Sequence, residues 1–304
     1  MLAGAPISWG VCEVPGWGHQ MSPERVLREI REAGLGATEL GPPGFLPAKP
    51  GQLSAALERE GLGLAGGFVA AVLHRPERRQ EALGAVERTA RTLGGVDGGV
   101  LVVAAAREGA GYDEREPLSE GDWEALAESL VQLERLAGEH GVRLAVHPHV
   151  GTVIERTEEV RRLLELTDAP ICLDTGHLTL GGADPVEVAE RAGGRVVHVH
   201  LKDVDSELGR QVRAGRLSYS EAVAAGLYRP LGHGEVDLRR LLEALERSAY
   251  RGWYVLEQDV VLAAEPAPGE GPIHDVRRSL EFLARAAQGS GGVPVSTSGR
   301  VESR

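Results

Sequence analysis

Short apolar runs alternate along the chain with longer stretches in which apolar residues recur at helical spacing. The first run is Pro6-Ile7-Ser8-Trp9, and a helix is predicted over residues 22–33, with Ser22 as N-cap and Pro23 in the first helical position. The unit then recurs. Strands at 37–40, 62–69 and 100–105 precede helices at 52–60, 77–93 and 119–140. In the second half, strands at 142–147, 170–174, 195–201 and 252–257 precede helices at 157–166, 184–192, 237–248 and 273–287, one of them opened by the capping pattern Asp184-Pro185-Val186-Glu187. Eight strand-helix units predict an α/β fold, a closed (β/α)8 TIM barrel of parallel strands with residues 1–287 as a single domain. A doubly wound open sheet is the competing architecture. It is weakened because no Gly-x-Gly-x-x-Gly lies between the first strand and helix, and no Gly-x-x-x-x-Gly-Lys-Ser/Thr occurs. Residues 288–304 have no apolar periodicity and are predicted to be a disordered C-terminal tail.

Composition narrows the class of function. The chain has 304 residues and a formal net charge of −12. That excess of acid argues against a surface built to neutralise a nucleic-acid backbone and favours a small-molecule substrate. Cys12 and Cys172 are too few to staple a chain of this size, so a reducing compartment is expected. The first ten residues lack the basic and apolar regions of a signal peptide, and no later run approaches the ~18 apolar residues of a membrane span, so a cytoplasmic protein is expected. Arginine dominates the cations, and the two lysines are Lys49 and Lys202. A lysine kept against that bias matters, because an ammonium can move a proton where a guanidinium cannot.

Barrel enzymes work at the C-terminal ends of their strands, so the last residue of each predicted strand is the informative one. Strands five to eight end at or near His147, Asp174, His200 and Glu257. Two imidazoles and two carboxylates at one mouth form a mixed N/O donor set suited to a divalent metal ion: Mn, Co, Zn, Fe or similar. Singly, each is better read as a loop hydrogen-bonder or helix cap; four arriving on four strands are not accounted for by capping. His198 shares the inward face of His200, one layer deeper, and reads as a hydrogen-bonded core histidine. Lys202 continues that face at the rim, where it either meets substrate or pairs with Asp203 or Asp205. Trp9 and Glu39, at the first two strand ends, are candidates to stack on a sugar-like ring and to accept its hydroxyl hydrogens. Arg229 and His233 fall in a long loop after strand seven that has the character of a lid or binding loop.

These stretches resemble the xylose-isomerase-like barrel superfamily of sugar-phosphate isomerases and epimerases, inosose dehydratases and the endonuclease IV family. The resemblance rests on His147-Pro148-His149-Val150-Gly151-Thr152, Leu173-Asp174-Thr175-Gly176-His177, His198-Val199-His200-Leu201-Lys202-Asp203, Leu231-Gly232-His233-Gly234-Glu235-Val236-Asp237 and Leu256-Glu257-Gln258-Asp259. Similarity to the ketose 3-epimerases implies metal ligation by Asp174, His200 and Glu257 and substrate contact by His177. Those epimerases carry a glutamate where this chain has His147, so half of their carboxylate pair is missing. The His-Pro-His-x-Gly-Thr, His-Leu-Lys-Asp and Glu-Gln-Asp forms look more like inosose (2-keto-myo-inositol) dehydratase, which implies dehydration of a cyclic polyol ketone.

That chemistry suits the residues. A divalent ion acidifies the hydrogen next to the ketone and stabilises the enolate, a base removes the proton, and an acid assists loss of the β-hydroxyl. Asp174, His200 and Glu257 are the expected metal ligands with His147 as a fourth. His149, His177 and Lys202 are the proton-transfer or oxygen-binding candidates, and the sequence does not separate base from acid among them. A metal-dependent ketose isomerase or epimerase is the alternative. A repair endonuclease is disfavoured by the charge, and a non-catalytic sugar-binding barrel by the four strand-end ligand types. A homo-oligomer is compatible with the fold, although no interface signal stands out.

Overall fold

The computed structural model describes residues 1–109 and 117–289. The barrel strands are β1 (Leu2–Gly4), β2 (Ala37–Glu39), β3 (Gly63–Ala71), β4 (Val100–Ala105), β5 (Arg143–Val146), β6 (Ile171–Asp174) and β7 (Val196–Leu201). A short antiparallel pair follows, β8 (Asp203–Val204) with β9 (Tyr228–Arg229), and β10 (Tyr254–Leu256) completes the barrel. The eight barrel strands are all parallel and close in the order β1-β10-β7-β6-β5-β4-β3-β2. The predicted (β/α)8 TIM barrel is therefore the fold. Among the described residues, no helix is long and apolar enough to cross a membrane.

The helices are α1 (Pro23–Glu32), α2 (Pro50–Glu60), α3 (Arg79–Gly94), α4 (Glu120–Glu139), α5 (Thr157–Leu166), α6 (Thr175–Leu180), α7 (Pro185–Ala192), α8 (Ser206–Arg213), α9 (Tyr219–Ala224), α10 (Leu238–Arg247) and α11 (Pro272–Gly289). Capping chemistry sets several of their starts. Ser22 Oγ accepts from Arg25 N, Ser119 and Asp122 form a reciprocal box, and Asp184 accepts from Val186 N. Apolar side chains of the outer helices and the outward faces of the strands form one large core. Small residues fill part of the inside: Ala3, Ala37 and Val255 are register partners around the seam and pack with Ala5 and Ala65.

Four sequence expectations are corrected. Pro6–Trp9 is a 3-10 helix and Leu2–Gly4 is the first strand; Pro6 has no N–H for a strand ladder and takes the first helical position. The loop after β7 carries α8 and α9, which are eight and six residues long and too short for an 11-residue periodicity window to detect. The short helix α6 starts directly on Asp174 and was likewise not foreseen. Finally, α11 runs through Gly289, so residues 288–289 continue the helix, and residues 290–304 of the predicted tail lie outside the described residues.

Candidate active site

The strand register brings the candidate residues together. Asp174 on β6 pairs with His200 on β7, and His200 pairs with Val255 on β10, two residues before Glu257. His147 follows β5 directly. Asp174 uses its two oxygens differently: Oδ1 caps α6 by accepting from His177 N at 2.8 Å, while Oδ2 has no hydrogen-bond partner. Around Oδ2 stand His200 Nδ1 at 3.5 Å and His147 Nε2 at 3.8 Å, and His200 Nδ1 lies 3.0 Å from Glu257 Oε2. His200 Nδ1 is a second buried atom without a hydrogen-bond partner.

The far nitrogens of these imidazoles fix which atom faces the centre. His147 Nδ1 lies 2.9 Å from Pro148 O, and a carbonyl only accepts, so that nitrogen holds the hydrogen and Nε2 keeps its lone pair. His200 Nε2 donates to Glu39 Oε1 at 3.2 Å, which leaves Nδ1 to face Asp174 and Glu257. His198 Nε2 donates to the same Glu39 oxygen at 2.8 Å, as expected of a core histidine. Gly66 makes room for this pair: a Cβ there would stand 2.8 Å from Val100 O and 3.1 Å from Glu39 Oε1. Both observed Glu39 contacts are to imidazoles, so although it faces the cavity its evident work is to orient His200, in the manner of a carboxylate behind a metal-binding histidine. Burial opposes its charge, but His200 and His198 outweigh that and hold its pKa down at about 2. A divalent ion fits this set on two grounds: Asp174 Oδ2 and His200 Nδ1 are buried and make no hydrogen bond, and the donors that converge there, with His147 Nε2 and Glu257 Oε2, are mixed nitrogen and oxygen.

Lys202 is fully buried and not a surface ion pair with Asp203 or Asp205. Its Nζ lies 2.5 Å from Glu257 Oε1, 3.0 Å from Asp259 Oδ1, 3.3 Å from Asp174 Oδ2 and 3.2 Å from His177 Nε2. Burial disfavours the ammonium, yet the carboxylates of Asp174, Asp259 and Glu257 outweigh it and hold the pKa well above the lysine range. Gly176 lets the lysine stem pass, because a Cβ there would be 2.7 Å from both Lys202 Cβ and Tyr228 Cε1. Asp203, next in sequence, accepts from the backbone N–H groups of Gly232, Gly234 and Val236 and so anchors the following loop. That anchoring accounts for the Gly-His-Gly stretch, whose His233 is exposed.

His149 presents an open nitrogen to the cavity. Its Nδ1 donates to Val150 O at 2.7 Å, so Nε2 carries a free lone pair on a side chain that lines the cavity. Burial, followed by the charge of Lys202, lowers its pKa and keeps the ring neutral. His177 stacks behind it with ring centroids 3.7 Å apart and is itself held neutral by burial and by His149. His177 is 1% exposed and is not part of the cavity wall, which counts against direct substrate contact in this conformation.

The cavity opens to solvent at the barrel mouth. Its floor is polar: Glu39, His147, His149, His200, Glu257 and Asp259. Its wall is largely apolar, from Ile7, Val11, Trp17, Pro42, Pro43 and Phe68. Two predicted binders are corrected. Trp9 is fully buried, with Nε1 donating to Glu29 Oε2 at 2.8 Å, because the 3-10 helix turns its indole into the core. Arg229 forms an exposed ion pair with Asp205 at 2.9 Å and does not line the cavity. The indole at the mouth belongs to Trp17, and the sequence reading also missed Asp259, Tyr219 and Tyr228. Asp259 was legible as the third residue of Glu257-Gln258-Asp259, whereas the tyrosines reach the site on an insertion with no local signal.

Comparison with known proteins agrees with this architecture. The family model described as xylose isomerase-like TIM barrel matches residues 27–286. The rhizopine catabolism protein MocC of Rhizobium meliloti is 36% identical over 94% of this chain and 88% of its own length. The inosose dehydratase of Geobacillus kaustophilus is 33% identical over 84% of this chain and 86% of its own. Among solved structures, an L-ribulose 3-epimerase superposes with a TM-score of 0.69 at 16% identity, covering 95% of this chain and 94% of that one. At that identity the likeness speaks for the fold alone. The barrel, its mouth and these relatives together make the chain a member of the xylose isomerase-like TIM barrel family.

Proposed function

We propose that this chain is a metal-dependent hydro-lyase that dehydrates a cyclic polyol ketone such as 2-keto-myo-inositol. The observation that carries the reading is a cavity-lining imidazole with a free lone pair, His149, together with a buried ammonium, Lys202, that reaches the cavity through its contacts with the lining carboxylates Glu257 and Asp259. The relatives named inosose dehydratase, 33% and 30% identical over 84% of this chain, support the same substrate class.

Asp174, His200 and Glu257, with His147 as fourth ligand, would hold the ion, for which manganese or cobalt suits the mixed donors. A divalent ion there supplies a Lewis acid that polarises a ketone and makes its α hydrogen more acidic. His149 accepts that hydrogen as a proton at Nε2, and Lys202 is the proton source on the opposite side of the balance, which divides the base from the acid. Glu39 keeps His200 in its working tautomer. The two-sided cavity suits a cyclitol, whose ring carbons meet the apolar wall while its hydroxyls meet the floor.

The test is proton NMR in D₂O, with protein reconstituted with Mn²⁺ or Co²⁺, the ion being removed before spectra are taken, and with stripped protein as control. Metal-dependent loss of 2-keto-myo-inositol with appearance of a dehydrated product is the expected result. Deuterium uptake into a ketose without water loss would replace the dehydratase by an isomerase or epimerase.

A further inference from the structure

The insertion after β7 and the chain beyond β10 converge on a carboxylate that has no role in the scheme above. Asp259 is 7% exposed yet lines the cavity. Its Oδ2 accepts the Tyr219 hydroxyl hydrogen at 2.7 Å, and its Oδ1 lies 3.0 Å from Lys202 Nζ. The Tyr219 hydroxyl in turn lies 3.1 Å from that of Tyr228, so α9 and β9 each give a buried tyrosine to holding this one group. Of the three carboxylates around Lys202, Asp174 and Glu257 are also candidates for the metal. Asp259 is therefore the one left to keep hold of the ammonium when an ion is bound.

Lys202 is buried behind Glu257 and Asp259 and does not form part of the cavity wall, so its proton needs a carrier to reach substrate. We infer that Asp259 is a catalytic residue that passes a proton from Lys202 to the departing β-hydroxyl, with Tyr219 as its positioning residue. This rests on the dehydratase reading. The α C–H bond breaks, its proton goes to His149 Nε2, and the electron pair forms the enolate. As the carbonyl re-forms, the pair moves between the α and β carbons and the β C–O bond breaks, its electrons leaving with oxygen. Lys202 passes a proton to the Asp259 carboxylate and Asp259 passes it on to that oxygen, giving water and an unsaturated ketone, with Asp259 a carboxylate again, His149 protonated and Lys202 neutral until both are reset. In a polyol ketone with all hydroxyls equatorial, the axial α hydrogen and the neighbouring β-hydroxyl lie on the same ring face. His149 and Asp259 both line the one cavity that would hold the ring.

The experiment compares metal-loaded wild type, Asp259→Asn and Asp259→Glu on 2-keto-myo-inositol and on the analogue with fluoride in place of the β-hydroxyl. Fluoride leaves without a proton. Asp259→Asn should lose ~100-fold or more in water elimination, keep deuterium exchange at the α carbon, and release fluoride at close to the wild-type rate; Asp259→Glu should recover part of the loss. Equal loss on both substrates would reduce Asp259 to a structural residue, and unchanged water elimination would remove it from the reaction; either overturns the inference while the dehydratase reading stands. A wild type inert to exchange and elimination alike would overturn that reading, and this inference with it.

Discussion

Glu39→Gln tests a carboxylate that contacts the proposed metal ligand His200 from behind without belonging to the proposed ligand set. The side chain is buried, and its Oε1 receives Nε2–H of His198 at 2.8 Å and of His200 at 3.2 Å. A glutamine of the same shape can still accept both hydrogens, but the charge that makes the His200 ring a stronger donor at Nδ1 is gone. Loss of such a partner behind a metal-binding histidine costs about 10–100-fold in metal affinity, or about 1.4–2.7 kcal/mol. Competition against a chromophoric chelator measures this directly, and circular dichroism checks that the barrel is intact. The variant should also flatten acid denaturation. Because the folded Glu39 carboxyl is depressed from its ordinary 4.5 to about 2, its stabilisation is full above the ordinary value and is lost as pH falls through about 2. Wild type and variant should therefore differ most near neutrality and converge in strong acid. An unchanged metal affinity in a folded Glu39→Gln protein would refute the orientation argument, and would return Glu39 to the role of a hydroxyl acceptor for substrate.

Three further outcomes follow from the site. His149→Ala should abolish α-deuterium exchange and lower kcat by ~100- to 10,000-fold; because burial depresses the imidazole from its ordinary 6.5, its neutral form persists below that value, so an acid limb of kcat/KM at or above it would argue against His149 as base. Lys202→Met leaves Asp174, Glu257 and Asp259 buried without their cation, and should destabilise the metal-free protein by ~3–5 kcal/mol in thermal melts. Added metal should recover that stability while turnover stays lost, and normal turnover would dismiss Lys202 from the chemistry. Trp9→Phe removes a donor to buried Glu29 and should lower stability by about 1–3 kcal/mol with KM for the ketone unchanged; a raised KM would restore Trp9 as a ring-stacking residue.

The alternation of apolar runs with helical periodicity determined the number and order of strand-helix units, since each unit must bury one face and parallel strands need a helix to return the chain. It also placed His147, Asp174, His200 and Glu257 at strand ends, because in a barrel the strand end is the mouth. Residues defined by direction in space were not legible in this way. Trp9 sits at the end of the first apolar run and reads as a rim indole, whereas the 3-10 helix ending in a left-handed turn at Gly10 buries it in the core and the cavity is lined instead by Trp17. The sequence marked Lys202 as unusual but left its partners open, since Asp203 and Asp205 are its neighbours along the chain. Only closure of the barrel brings Asp174, Glu257 and Asp259, separated from it by 28 to 57 residues, around its ammonium. The proposed division between base and acid likewise rests on tertiary structure. Residue type makes His149 and Lys202 both able to carry a proton, and it is burial with the nearby Lys202 charge that holds the first neutral, and three carboxylates outweighing burial that hold the second charged.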